Sequence, residues 1–318
     1  MLLTPLGALA ATGVLLVGAA FAFAARRVGA VRRALRLEAP SGSDRGVLAA
    51  LVGVVLLAAL VAVQPAWEAR SERRVRADAQ VDVVLDTSRS MLASASAGSP
   101  TRLDRAKRAA IAIRAGLSDV EVGVGTLTDR VLPNLLPSAS EASFDATVRD
   151  AIGIEQPPPA TSGVTATTLA ALAQVPGSGT FTPSARKRVL VVLTDGESRP
   201  FDPGFVASAL RRRPGTSLVL VHVWNADESI YHADGTTEAA YRPDPTSRTT
   251  LASLADAAGG TVVGEGENRQ VVDAVRKAIG SGPTATAGLD QRTHPLGRYV
   301  ALVAVVPLAF VLRRRNFR

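Results

Sequence analysis

Short apolar runs of strand length alternate with longer runs of helical period between residues 81 and 280. The runs VLVVL at 189–193 and LVLVHV at 218–223 are apolar on both faces, as central strands of a parallel sheet are. Such alternation predicts an α/β fold with a doubly wound, mostly parallel sheet. The predicted strands are 81–85, 120–127, 189–193, 218–224 and 262–263, and the predicted helices are 103–117, 205–210, 251–258 and 271–279.

One further strand is predicted to run antiparallel at the edge of this sheet. Thr128-Asp129 forms a tight turn between two short apolar runs, so 130–135 should fold back on the strand before it. The predicted domain then covers residues 81–280, and the segments 66–80 and 281–295 are predicted linkers.

Three apolar stretches lie outside this domain, at 1–25, 46–65 and 296–312. The first two have the length of about 20 residues that a transmembrane helix needs, and the third is the shortest. Arginines follow the first stretch instead of preceding it, which favours a membrane anchor over a cleaved signal peptide. We therefore expect three transmembrane helices in an integral membrane protein.

Charge is distributed unevenly along the chain. The formal net charge is +8, but residues 77–282 carry −3 and the remainder carries +11, all of its basic residues being arginines. Arginines beside apolar segments indicate membrane orientation and contact with lipid, and not nucleic-acid binding. The basic loop 26–45 and the basic tail 313–318 are predicted to be cytoplasmic, which places the N-terminus and the domain outside the cytoplasm. Arginines at 70–76 argue weakly for the opposite orientation.

Acidic and hydroxyl side chains follow two of the predicted strands. Asp86, Ser88 and Ser90 form a D-x-S-x-S motif directly after the strand 81–85, and Asp195 follows 189–193 in the sequence VLVVLTDG. Ligands of parallel α/β sheets collect beyond the carboxyl ends of the strands. We therefore expect these oxygen atoms to converge at one edge of the sheet.

A third loop could add a threonine, because the segment 165–169 (TATTL) lies between the two motifs at the start of a predicted helix. Carboxylate and hydroxyl oxygens, with no cysteine in the chain, suit Mg²⁺, Mn²⁺ or Ca²⁺ better than zinc or copper. An ion with few protein ligands would keep a position open for water or for a carboxylate from another molecule.

On the motifs DTSRS at 86–90 and TDG at 194–196, the chain from about 81 to 279 resembles a von Willebrand factor A domain with its metal-ion-dependent adhesion site. This resemblance implies that Mg²⁺, or Mn²⁺ or Ca²⁺ in its place, binds a protein partner through an acidic residue. The implied metal ligands are Asp86, Ser88, Ser90, Thr167 and Asp195. Thr165 or Thr168 could take the place of Thr167 as the threonine ligand, because the glycine-threonine pair usual in the family is absent.

The layout of the flanking apolar segments resembles that of bacterial aerotolerance-type (Bat) membrane proteins. That family is often associated with MoxR-type ATPases, so the resemblance implies an ATPase of this type as a further partner. This similarity covers the layout only and no sequence motif.

Several other polar residues have more ordinary interpretations. Asp82 is expected at a solvent-facing strand start, Glu197 at the start of a helix, and Arg89 pointing outward. His222 is expected to be a core residue. The insertion 225–245 carries exposed aromatic residues that could contact a partner, or forms a hairpin packed on its own domain.

No motif supports an enzyme. The histidines are scattered, and Gly-Ser-Gly at 177–179 lacks the lysine of a phosphate loop. The leading hypothesis is a membrane-anchored, metal-dependent binding module for envelope assembly or stress response. The alternatives are a metal-dependent hydrolase at the same edge, with Glu197 as the one candidate base, and a membrane scaffold with a vestigial metal site.

Overall fold

The computed structural model describes residues 66–156, 158 and 167–316, together with scattered positions between residues 12 and 61. The chain divides into two compact units, one of residues 73–288 and the other of residues 1–72 with 289–318. The first unit contains the segment in which strand-like and helix-like runs alternate.

The described part of the chain contains eight strands. They are β1 Ala66–Arg76, β2 Ala79–Asp86, β3 Glu121–Leu127, β4 Val131–Ser138, β5 Lys187–Thr194, β6 Thr216–His222, β7 Thr261–Gly264 and β8 Thr284–Pro295. Six of the strands form one sheet in the order β4-β3-β2-β5-β6-β7, and β1 pairs with β8 in a separate two-stranded sheet. β3 and β4 are antiparallel, whereas the other neighbouring pairs of the large sheet are parallel. The predicted α/β fold and its antiparallel edge strand are therefore confirmed.

Helices cover both faces of the large sheet. The helices of the chain are α1 Arg102–Gly116, α2 Glu141–Ala146, α3 Pro203–Leu210, α4 Ser247–Ala258, α5 Asn268–Ile279 and α6 Gly297–Asn316, with 3₁₀ segments at Arg89–Leu92 and Leu169–Gly177. Successive residues of β2 pack into two separate hydrophobic cores: Val83 and Leu85 lie on one side with residues of α1 and α5, while Val84 lies on the other with residues of α3 and α4. This explains why the central strands are apolar at every position.

Local sequence signals account for several helix ends. Thr101 and Asp104 form a reciprocal capping box at the start of α1, and Asp202 caps α3 with Pro203 at its first position. α4 ends at Gly259, which adopts the left-handed conformation (φ 68°).

The two segments predicted as linkers require a correction, because 66–80 contains β1 and the start of β2, and 281–295 contains β8. The backbone N–H of Ala77 donates to the carbonyl of Pro283 at 2.9 Å, which joins the two segments where they meet the domain. In β1 and β8, polar and apolar residues alternate only over short runs such as TATA at 284–287, so the sequence pattern did not reveal this pairing.

The predicted transmembrane helices fall only partly on described residues. Within 1–25 and 46–65 the scattered described positions are helical, and helical residues continue to position 34, inside the segment predicted as a basic loop. The third stretch forms α6, which carries Arg298 near its start. Among the described parts of the chain, no helix has both the length and the apolar character required to cross a bilayer.

Candidate metal centre

Asp86 and Asp195 lie at the same edge of the sheet, as the sequence predicts. Asp86 is the last residue of β2, Asp195 directly follows β5, and these two strands are parallel neighbours. Both side chains are fully buried. The strand pairing therefore places two carboxylates side by side where a core would ordinarily exclude charge.

Hydrogen bonds from three different segments hold the carboxylate of Asp86. Oδ1 accepts from the backbone N–H of Ser88 at 2.9 Å and from Oγ1 of Thr167 at 3.1 Å, and Oδ2 accepts from Oγ1 of Thr194 at 2.6 Å. Burial raises the pKa of Asp86 above its usual range, although these hydrogen bonds act in the opposite direction.

The two serines of the motif connect Asp86 with Asp195. The Oγ atoms of Ser88 and Ser90 are 3.0 Å apart, and hydrogen bonding by the Ser90 side chain lowers the pKa of Asp195. Oδ1 of Asp195 also accepts from the backbone N–H of Glu197 at 2.9 Å. Burial raises the pKa of Asp195 to about 8, with the negative charge of Asp86 as the next contribution.

Thr167 is the threonine that joins this group. Its backbone pairs with the loop after β5, because its carbonyl accepts from the N–H of Arg199 at 2.9 Å. Thr168 instead begins the 3₁₀ segment, and its N–H donates to the carbonyl of Thr128. Thr165, the other alternative from the sequence, lies outside the described residues. The structure therefore brings together all five predicted ligands, Asp86, Ser88, Ser90, Thr167 and Asp195.

Gly196 has a positive φ of 76°, a conformation that side chains disfavour. A Cβ atom there would lie 2.9 Å from both Cγ of Leu251 and the carbonyl oxygen of Ser247. Its backbone N–H donates to Oγ1 of Thr194 at 3.0 Å, and that hydroxyl in turn donates to Asp86. The glycine of the TDG motif therefore helps to orient the Asp86 carboxylate.

Arg102 is a member of this edge that the sequence did not indicate. It is fully buried at the start of α1, and its Nη1 lies 3.0 Å from Oδ2 of Asp195 and 2.9 Å from Oε1 of Glu197. Its Nε lies 2.7 Å from Oε2 of Glu228. An arginine in an amphipathic helix usually faces solvent, and only the arrangement of distant loops reveals that this one is enclosed.

The insertion 225–245 packs on its own domain. Oη of Tyr241 donates to Oε1 of Glu197 at 2.9 Å, and Glu238 forms an ion pair of 2.8 Å with Arg89. This corrects two expectations: Glu197 belongs to the enclosed Arg102 network, and Arg89 reaches back to the insertion. His222 is buried as predicted, and its Nε2 lies 3.1 Å from the carbonyl oxygen of Asp195.

Asp82 does not face solvent, which corrects a further expectation. Its side chain is 1 % exposed in the middle of β2, and neither carboxylate oxygen has a hydrogen-bond partner among the described residues. Burial raises its pKa to about 7. Gly123 on the neighbouring strand makes room for it, because a Cβ atom there would lie 2.9 Å from Oδ1 of Asp82.

The donor chemistry of this edge fits a hard divalent cation. Four carboxylates outnumber the charges of Arg102 and Arg105, and both motif aspartates are enclosed; the carboxylates are Asp86, Asp195, Glu197 and Glu228. In the described part of the chain no group of three or more acidic or histidine side chains could hold a metal by itself. Hydroxyl oxygens would therefore have to complete the ligand set, and Ser88, Ser90 and Thr167 supply them.

Comparison with known proteins agrees with this fold. Residues 81–197 match the family described as von Willebrand factor type A domain. BatB from Bacteroides thetaiotaomicron superimposes with a TM-score of 0.52 at 20 % identity, covering 64 % of this chain and 100 % of that one. An aerotolerance-related membrane protein from Bacteroides fragilis gives a TM-score of 0.50 at 20 % identity, covering 63 % and 98 %. A search of curated protein sequences found no match.

Proposed function

We propose that residues 73–288 form a binding module that holds a divalent cation, Mg²⁺ or in its place Mn²⁺ or Ca²⁺, and captures a carboxylate of a protein partner. The observation that supports this is the contact of two buried carboxylates with three hydroxyls at one sheet edge. When bound, the cation would supply a positive centre for the partner's acidic side chain. Its proposed ligands are Asp86, Ser88, Ser90, Thr167 and Asp195.

The protein arranges these ligands before any partner arrives. Thr167, just before the 3₁₀ segment Leu169–Gly177, and Thr194, at the end of β5, hold the two oxygens of Asp86, while Arg102 holds one oxygen of Asp195. Fixed ligands lose little conformational freedom when they bind, which favours affinity. The partner's carboxylate would then replace water and would not have to order the loops.

The contacts of Glu197 favour binding over hydrolysis. Its Oε1 accepts from Arg102, from Nε1 of Trp224 at 3.0 Å and from Oη of Tyr241. A general base must be free to take a proton from water, and this carboxylate is occupied by donors. We therefore propose a non-enzymatic role.

We further propose that the apolar stretches 1–25, 46–65 and 296–312 anchor this module in a lipid bilayer, with the domain outside the cytoplasm. The proposal rests on the length of these stretches and on the arginines that flank them. A MoxR-type ATPase would be a second partner, acting through the basic cytoplasmic segments. Attachment to a membrane would suit a role in envelope assembly or stress response.

Calorimetric titration of Mg²⁺, Mn²⁺ and Ca²⁺ into the full-length chain tests the metal site. Asp86→Ala should weaken binding by about 100-fold or more, because it removes a charged ligand that no neighbour can replace. Asp273→Asn, which changes an exposed aspartate on α5, is the matched control and should bind like the wild type. Absence of saturable binding to the folded wild-type chain would refute the metal proposal and favour the scaffold hypothesis.

A further inference from the structure

The amino-terminal edge of the large sheet, opposite the candidate metal centre, is strongly basic. The strand β5 begins at Lys187 after Arg186, and the connection from α3 to β6 carries Arg211, Arg212 and Arg213 in succession. All five of these side chains are exposed. We refer to this set, Arg186, Lys187, Arg211, Arg212 and Arg213, as the basic edge.

A cleft of about 600 Å³ opens beside the connection from α3 to β6. Its charged lining consists of Arg188, Arg212 and Arg213, and no acidic residue lines it. A second cleft of about 390 Å³ on the other side of the connection is lined by Arg186, Lys187 and Arg211, again without an acidic residue. The larger cleft has the size of a small-molecule site.

Arg188 gives the larger cleft a fixed positive charge. Its side chain is 8 % exposed, Nε donates to the carbonyl of Ala185 at 2.9 Å, and Nη2 donates to that of Thr182 at 3.1 Å. The guanidinium carbon lies 5.5 Å from the ring centroid of Phe181. These contacts fix the plane of the guanidinium group and leave Nη1 without a partner among the described residues.

Arg212 and Arg213 lack any ion pair or side-chain hydrogen bond within the described parts of the chain. Two acids that precede strands at the same edge have arginine partners of their own, because Asp78 pairs with Arg76 and Asp119 pairs with Arg276. Two unpaired guanidinium groups beside a third that is held in place form a donor set suited to phosphate oxygens.

We propose that this cleft binds a phosphate-bearing small molecule, with its anionic group on Arg188, Arg212 and Arg213. Ala173, Pro176 and Pro214 also line the cleft and would contact the less polar part of the ligand. The rest of the basic edge would raise the local concentration of anions by long-range attraction. This site is separate from the metal centre and does not depend on it.

Calorimetric titration of inorganic pyrophosphate into the full-length chain, at constant ionic strength and without divalent cations, tests this proposal. The wild type should bind saturably, and the Arg212→Gln/Arg213→Gln double variant should bind about tenfold more weakly or worse. Both residues are exposed, so the variant should fold. Arg269→Gln, an exposed arginine on α5, is the matched control and should bind like the wild type.

Equal affinity in the double variant, or no saturable binding to the wild type, would overturn the proposal. A second arm distinguishes a free phosphate compound from a lipid headgroup. The full-length chain is reconstituted in phosphatidylcholine bilayers with or without phosphatidylglycerol, and pyrophosphate is titrated again. Unchanged affinity supports the small-molecule ligand, whereas weaker binding in the anionic bilayer that persists at an ionic strength high enough to screen the bilayer charge would assign the cleft to lipid headgroups and overturn it.

Discussion

The two edges of the large sheet differ in the prevailing sign of their charged side chains and in how these side chains are held. At the carboxyl edge, Asp86 and Asp195 are buried, Asp86 accepts hydrogen bonds from Thr167 and Thr194, and Asp195 accepts one from Arg102. At the amino edge, Arg212 and Arg213 are exposed and have no acidic partner among the described residues. A buried charge must be fixed by its surroundings, whereas an exposed charge can stay mobile and hydrated.

This contrast shows why the net charge of the domain says little about what it binds. Residues 77–282 carry a formal charge of only −3, yet buried carboxylates lie at the carboxyl edge and exposed arginines without an acidic partner among the described residues lie at the amino edge. Each edge therefore presents a local field far stronger than the total suggests. A cation and an anion are the corresponding ligands, one for each edge.

Removing Arg102 should have the largest effect, because it leaves the fully buried Asp195 without its cation, whereas Glu228 keeps its ion pair with Arg105. We expect Arg102→Ala to lower the free energy of unfolding by about 3–5 kcal/mol in metal-free buffer. Thermal and denaturant unfolding of the full-length chain measures this. Arg108→Ala on the exposed face of the same helix should change stability by less than about 0.5 kcal/mol. Equal losses in the two variants would show that the buried network does not stabilise the carboxyl edge.

Substitution of Asp82 tests how much stability the burial of a carboxylate without a hydrogen-bond partner costs. Its pKa is raised from 3.8 to about 7, so the fold favours the protonated form. The contribution of Asp82 to the free energy of unfolding is therefore fully present below about pH 4 and declines as the pH rises from there through 7, by up to about 4 kcal/mol. Asp82→Asn should remove this decline.

The measurement is the difference in unfolding free energy between wild type and Asp82→Asn across pH 4 to 8. The free energy of unfolding of the variant, relative to that of the wild type, should increase as the pH rises. A difference independent of pH would contradict the raised pKa of Asp82. Asp273→Asn, at an exposed position, should show little pH-dependent difference and controls for changes elsewhere.

Substitutions of two glycines with positive φ, one at each edge, compare the stability cost of adding a side chain at the two edges. Gly196→Ala should destabilise the domain by about 1–3 kcal/mol, because a Cβ atom would meet Leu251 and Ser247 in addition to the unfavourable φ. Gly259 at the end of α4 has a φ of 68° but no atom within 4 Å of a Cβ position. Gly259→Ala should therefore cost only the conformational part, about 1 kcal/mol. Denaturant unfolding of both variants checks this, and equal costs would mean that Gly196 is not sterically required.

The smallest expected effect separates the candidate threonine ligands. Thr167→Val should weaken Mg²⁺ binding by about tenfold, because it removes one neutral oxygen and one hydrogen bond to Asp86. Thr168→Val should bind Mg²⁺ as the wild type does, since the predicted site does not use its hydroxyl. Calorimetry on both variants decides the assignment, and a larger loss in Thr168→Val would reverse it.

The sequence predicted the parts of this fold that depend on local pattern. The apolar runs of β5 and β6 and the turn at Thr128-Asp129 were sufficient to predict parallel central strands and an antiparallel edge. The positions of Asp86 and Asp195 at one edge followed from the rule for parallel sheets. That these groups hold a metal stays a prediction.

Contacts between distant segments could not be predicted in the same way. Arg102 meets Asp195 across 93 positions and Glu228 across 126 positions of sequence. Asp82 was assigned to solvent because charge is rare in strand interiors, and nothing in the local pattern showed that Gly123 opens space beside it. The pairing of β1 with β8 likewise joins segments from opposite ends of the domain.

The hydrogen bond between Ala77 and Pro283 has a mechanical consequence. Both connections to the rest of the chain leave the domain next to each other, at the end opposite Asp86 and Asp195. A pull applied to either connection from the rest of the chain therefore enters the domain at this shared contact, at the end of β2 that lies farthest from Asp86.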